Sequence, residues 1–144
     1  MKKIFISTLV LSVSLLSCEK KISSYSQSES HYAGQDCMQC HKSGGDGEGH
    51  FKVAGTVYDS TKINVYPKAT IKLYSAPQGG GDLIKTIEVD AIGNFYTTEK
   101  VKFKKDVYPS VTGTTGIEKF MSTPATKGSC NSCHGVSTNK LWAK

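Results

Sequence analysis

The chain has 144 residues, 38% of them hydrophobic, with 18 basic and 12 acidic side chains and a formal net charge of +6. That length suits one compact domain with appendages rather than several domains. Every basic residue is lysine; without arginine, the usual bidentate reader of phosphates and base edges, the positive balance points away from a nucleic-acid partner.

The chain opens as a targeting segment. Lys2 and Lys3 make a positive start, and Ile4 to Leu16 is an apolar run broken only by small hydroxyl residues, too short for a membrane span. It ends in Leu15-Leu16-Ser17-Cys18. This stretch resembles the lipobox of bacterial lipoprotein signal peptides. The resemblance implies removal of residues 1–17 and a lipid on Cys18, which would hold a soluble body on a membrane surface without crossing it. Ordinary secretion is the alternative. Either way an exported protein is expected, periplasmic or on the cell surface. Loss of Lys2 and Lys3 leaves 16 lysines against 12 acidic residues, a formal charge of +4.

Residues 18–36 are polar and serine-rich, with little to bury, and read as a flexible tether. The first motif that carries chemistry comes next: Cys37-Met38-Gln39-Cys40-His41. A second copy of the pattern, Cys130-Asn131-Ser132-Cys133-His134, lies near the other end. Cys-x-x-Cys-His is the attachment signature of c-type haem. Two thiols three positions apart each form a thioether to one edge of the porphyrin, and the next residue, histidine, binds the iron axially. The two copies use four of five cysteines and two of four histidines. In an exported chain, disulfides or a zinc site are the competing readings, but neither accounts for a histidine directly after the second cysteine in both copies.

Residues 37–50, including the glycine-rich loop Ser43–His50, form the first attachment segment. From Phe51 to Gly113 the pattern is that of strands. Phe51, Val53, Gly55 and Val57 alternate with Lys52, Ala54, Thr56 and Tyr58; Ala69, Ile71 and Leu73 alternate with Thr70, Lys72 and Tyr74. Further β-branched runs cover Leu83–Val89, Asn94–Val101 and Val107–Val111, with turns expected at Asp59-Ser60, Tyr66-Pro67, Pro77–Asp82 and Asp90–Asn94. Period-two patterning at this spacing predicts a mainly β fold, an antiparallel β-sandwich with irregular flanks. The run Lys100–Lys105 reads as a solvated strand face, or as a docking face for an acidic redox partner. Residues 114–144 form the second attachment segment, too short for the helices of an all-helical cytochrome domain.

Gly55-Thr56-Val57-Tyr58-Asp59, Pro67–Leu73 and Asp90-Ala91-Ile92-Gly93-Asn94-Phe95 together resemble the carboxypeptidase-regulatory-like (transthyretin-like) β-sandwich family. The resemblance covers about residues 51–113 and implies a structural or binding sandwich without catalytic residues. Lys62–Tyr66 is more apolar than a plain loop and departs from the pattern.

His41 and His134 are the expected proximal iron ligands. The remaining axial positions have few candidates. Met38 lies inside its own motif and cannot reach across the ring. His50, nine residues beyond His41 across the glycine loop, is expected over the distal face of the first haem. Met121 or His31 is expected at the second, an open position being the third option; Trp142 covers a porphyrin face or belongs to a loose tail. These residues predict an exported dihaem c-type cytochrome passing single electrons, with two covalent haems, redox proteins as partners, and a membrane surface reached through Cys18. A multihaem chain or filament built by self-association is a variant. The alternatives are a haem enzyme or sensor with one open axial site, and a binding module in which haem is a staple.

Overall fold

The structure is a computed structural model and describes residues 30–144; the signal segment, Cys18 and most of the expected tether lie outside the described residues. Among the described residues, six strands form two antiparallel sheets. β1 (Val53–Thr56) pairs with β4 (Asn94–Thr97) in one, while β3 (Leu83–Glu88), β2 (Thr70–Tyr74), β5 (Tyr108–Thr112) and β6 (Glu118–Phe120) lie in that order in the other. The mainly β class expected from the alternation is the one observed.

Alternation on β2 places Ile71 and Leu73 in the core and Thr70, Lys72 and Tyr74 half in solvent. These two join Val53, Val57, Ala69, Ile87, Val89, Phe95, Val107 and Val111 between the sheets. Each such side chain contributes about 1.5–3 kcal/mol of burial. The expected turn at Asp90–Asn94 is built by the Asp90 carboxylate, which accepts from the backbone N–H groups of Ile92 and Asn94 at 3.0 and 2.9 Å. Gly93 takes φ of 82° there, and a Cβ on it would sit 2.7 Å from that of Val65.

Three local expectations change. Lys100–Lys105 is a turn, not a strand: Val101 and Phe103 pack against the core while Lys102, Lys104 and Lys105 stay in solvent. β6, inside the second attachment segment, extends the larger sheet by pairing Glu118, Lys119 and Phe120 with β5. Residues 30–36 are not free tether. Ser30 and His31 accept from the Asn94 amide at 2.9 and 3.0 Å, and the Gly34 N–H donates to Thr56 Oγ1 at 2.8 Å.

β1 is buried along its whole length. Val53 faces the sandwich core, and Ala54 and Thr56, on the alternate face, are covered by the flanks. The Ala54 N–H donates to the Gly128 carbonyl at 2.8 Å, and Ser129 bridges Ala54 in parallel. The second flank thus satisfies the edge of β1 that β4 leaves open.

Candidate functional site

Each Cys-x-x-Cys-His motif folds into the same local shape. Cys37–Gln39 and Cys130–Ser132 are single 3₁₀ turns. In each, the histidine N–H donates to the carbonyl of the first cysteine, at 2.9 Å in both copies. The turn gathers both thiols and the imidazole on one side of a short segment.

The chain then returns to hold the imidazole. His41 Nδ1 lies 2.7 Å from the Glu48 carbonyl, and His134 Nδ1 lies 2.9 Å from the Asn139 carbonyl. A carbonyl oxygen only accepts, so Nδ1 carries the proton in both rings. That tautomer leaves the Nε2 lone pair for a metal, and the bond fixes the ring's direction. The two return loops share no sequence; the first takes seven residues and the second five.

The glycine loop after His41 is shaped by this return. Gly47 donates to the Cys40 carbonyl at 3.0 Å, and a Cβ on Gly47 would meet His41 Nδ1 at 2.7 Å. Phe51 donates its N–H to the His41 carbonyl at 2.9 Å and stacks its ring on the imidazole, centroids 4.1 Å apart and planes 4° from parallel. Tyr96 stacks on the far side of Phe51 at 4.2 Å. The loop therefore folds back against the His41 imidazole instead of carrying His50 across the cleft. His50, at its end, is exposed and does not line the cleft around Cys37, Cys40 and His41.

His31 does line that cleft, a hollow of about 840 Å³, with Tyr32, Phe51 and Tyr96. Its ring centroid is 5.8 Å from that of His41. The second motif borders a separate hollow of about 460 Å³, lined by Cys130, Cys133, His134, Met121, Phe103 and Trp142. Both volumes are in the range of cofactor pockets. The two candidates for the second iron are thus divided: Met121 stands with His134, and His31 stands with His41. Trp142 is not on a loose tail, because it bridges Tyr58 and the next residue, Ala143, is in the core.

Sequence reasoning missed Lys119. Its ammonium lies over the Trp142 ring at the second hollow, and its Nζ is shielded from water with no hydrogen-bond partner among the described residues. Burial, then repulsion from Lys144 and Lys62, holds its pKa below the ordinary lysine value. A cation held at an apolar hollow by an aromatic face alone, with no hydrogen-bond acceptor, is suited to an anionic ligand group. Only the alternation of Lys119 with Glu118 and Phe120 in a strand hidden in the linker signalled it.

The motifs also meet each other. Ser129, just before Cys130, donates its hydroxyl to the carboxylate of Asp36, just before Cys37. Asn131 donates to the Gln35 carbonyl at 2.8 Å and to Thr56 Oγ1 at 3.0 Å, and accepts from the Thr56 N–H at 3.0 Å. Thr56 in turn donates to Asn94 Oδ1 at 2.7 Å. Asn131, Thr56 and Asn94 are all buried, so one satisfied polar network joins both motifs, β1 and β4.

The first thiol of each motif is not poised as a nucleophile. All four motif cysteines are free. Burial, then the neighbouring Cys37, Cys133 and Asp36, pushes the Cys130 thiol up to about 12; burial first, with Asp36 and Asp90, raises Cys37 against an opposing backbone hydrogen bond. Thiol chemistry that depends on a thiolate at neutral pH is disfavoured at both. Among the described residues no three His, Cys, Asp or Glu side chains converge as a protein-only metal site would require, and no helix is long and apolar enough to cross a membrane. No family model, curated protein or solved structure matches the chain, so the functional reading rests on the geometry of this site.

Proposed function

We propose that the chain is an exported dihaem c-type cytochrome, anchored through Cys18, that carries single electrons between redox proteins. One observation supports the reading most: in two motifs far apart in sequence, the histidine donates Nδ1–H to the carbonyl of its own return loop and leaves Nε2 unengaged by that bond. A pair of structural thiol motifs has no need of that tautomer twice.

The residues fit two haems. Cys37 and Cys40, and Cys130 and Cys133, supply the thioethers; His41 and His134 supply the proximal nitrogens. Met121, beside His134 in the second hollow, supplies the second ligand there. Lys119 supplies a cation for a haem propionate, which answers its missing partner. Bound haem iron contributes a reversible one-electron couple. The protein's residues set its ligands, shield it from water and fix its orientation. Both motifs pack on β1, which supports a pair of haems within one molecule; a filament would not be needed to bring them near each other.

Expression with a c-type maturation system, followed by intact mass and visible spectra, tests this. The expected product carries two covalent haems that cycle reversibly between ferric and ferrous forms. A soluble, folded product with no covalent haem would overturn the proposal.

A further inference from the structure

The sequence alone points to His50 for the second axial position of the first haem. We infer instead that His31 closes that iron from the side opposite His41, making the first haem bis-histidine while the second is histidine–methionine. The inference rests on the dihaem reading and goes beyond it, because it fixes the ligand set of each iron and hence the order of their potentials.

Three observations carry it. His31 lines the same cleft as Cys37, Cys40 and His41, whereas His50 does not. Two imidazoles bound to opposite faces of one metal, at metal–nitrogen distances of about 2.0–2.1 Å, have ring centroids about 6 Å apart; His31 and His41 stand at 5.8 Å. Finally, the glycine loop is committed to the proximal side. It folds back onto the Cys40 carbonyl and the His41 ring, and Phe51 stacks on that ring, which holds the chain carrying His50 away from the opposite face.

The segment bearing His31 is built to be held there. Asn94, itself buried, grips the Ser30 hydroxyl and the His31 carbonyl. Three residues on, the Gly34 N–H donates to buried Thr56. The turn between them is closed by Gln35 N–H to the Tyr32 carbonyl at 3.1 Å, and the backbone of Gly34 passes so near the Tyr58 hydroxyl that a Cβ there would sit closer than 3 Å. Ordering this segment costs conformational entropy, and the polar stitches on both sides of His31 offset it.

The consequence is a potential difference inside the molecule. Methionine in place of histidine as an axial ligand raises the reduction potential. The first haem is then the lower-potential site and the second the higher. With both haems bound, this ligand set would make the His31–His41 side the electron donor and the Met121–His134 side the acceptor.

The test uses the haem-loaded protein and four variants. Mass must report two haems in each; if the wild type carries none, the dihaem reading itself fails, a result separate from failure of the ligand assignment. In His31→Ala one haem of the pair is expected to become high-spin by electron paramagnetic resonance and to return to low-spin with added imidazole. In His50→Ala both haems are expected to stay low-spin. His31→Met is expected to keep two low-spin haems and raise the lower of the two midpoint potentials. Met121→Ala is expected to perturb the higher-potential haem only. Unchanged spin state in His31→Ala, or a high-spin haem in His50→Ala, would overturn the assignment.

Discussion

The Ser129 hydroxyl donates to the Asp36 carboxylate, and each of these residues immediately precedes the first cysteine of a motif. The residues are 93 positions apart in sequence, yet this bond places the two 3₁₀ turns back to back. Asp36 also accepts from the Met38 N–H at 3.2 Å, so one carboxylate caps the first turn and fastens it to the second. A hydrogen bond to a charged group of this sort contributes about 1.5–3 kcal/mol. Ser129→Ala and Asp36→Asn are each expected to destabilise the haem-loaded protein, and the double variant to lose less than their sum. A double-mutant cycle by chemical denaturation measures the coupling; additive effects would show that the bond does not join the motifs.

Asn131 is the buried centre of the same junction. Truncating it to alanine strands the Thr56 N–H and removes two donors, a loss of about 1–3 kcal/mol. Asn131→Asp keeps the acceptor for Thr56 but loses both donors and buries a charge, so it is expected to cost at least as much. Thermal unfolding of the two variants against the wild type provides the comparison. A wild-type melting temperature in Asn131→Ala would mean that the network is not structural.

The sequence makes legible those features that local forces decide. The period-two pattern places β2, which buries Ile71 and Leu73 between half-exposed neighbours, whereas β3 and β5 are legible as β-branched runs whose burial does not alternate. The motif spacing singles out Cys37, Cys40, His41, Cys130, Cys133 and His134, and a single 3₁₀ turn in each copy brings those contiguous residues to one hollow. The burial of Ala54 and Thr56 is not legible, since small and hydroxyl residues give no sign that a distant flank will cover them. The glycine loop reads as a path for His50; its real role, to fold back and hold His41, depends on close approaches that spacing does not reveal. By reach alone His31 could stand at either motif; its place in the cleft of His41, held by the Asn94 and Thr56 contacts around it, is what the folded chain adds. β6 is hidden in a linker because three residues are too few for a period.

Gly55 lies where β1 passes beneath the second motif. A Cβ there would meet Cys130 Cβ at 2.8 Å and the Phe95 ring at 2.6 Å, and neither has room to yield without moving the motif or the core. Gly55→Ala is therefore expected to displace the Cys130 turn and leave the Cys37 turn in place. Intact mass and peptide mapping are expected to find haem lost from Cys130 and Cys133 preferentially, with about 1–3 kcal/mol of stability lost by overpacking. Equal loading of both motifs would show that the close approach does not govern attachment.

Asp59 is expected to give the loop after β1 an acid response. Its carboxylate accepts from Thr61 Oγ1 at 2.5 Å and from the Asn64 amide at 3.1 Å, and these bonds, Thr61 first, hold its pKa below the ordinary carboxylate value. A carboxyl depressed in the folded state stabilises the fold above its unfolded pKa, and that contribution is lost as pH falls through the folded pKa. The neighbouring residue, Tyr58, is where the C-terminal segment docks: its N–H donates to the Leu141 carbonyl at 2.8 Å, and the Ala143 N–H donates to its carbonyl at 2.9 Å. Protonating Asp59 is thus expected to loosen the 59–64 loop and, with it, the tail that brings Trp142 to the second hollow. Asp59→Asn keeps the side chain's size but removes the titration, so its Trp142 fluorescence is expected to stay flatter between about pH 5 and pH 2 than that of the wild type. Identical acid profiles for the two proteins would detach the tail from this loop.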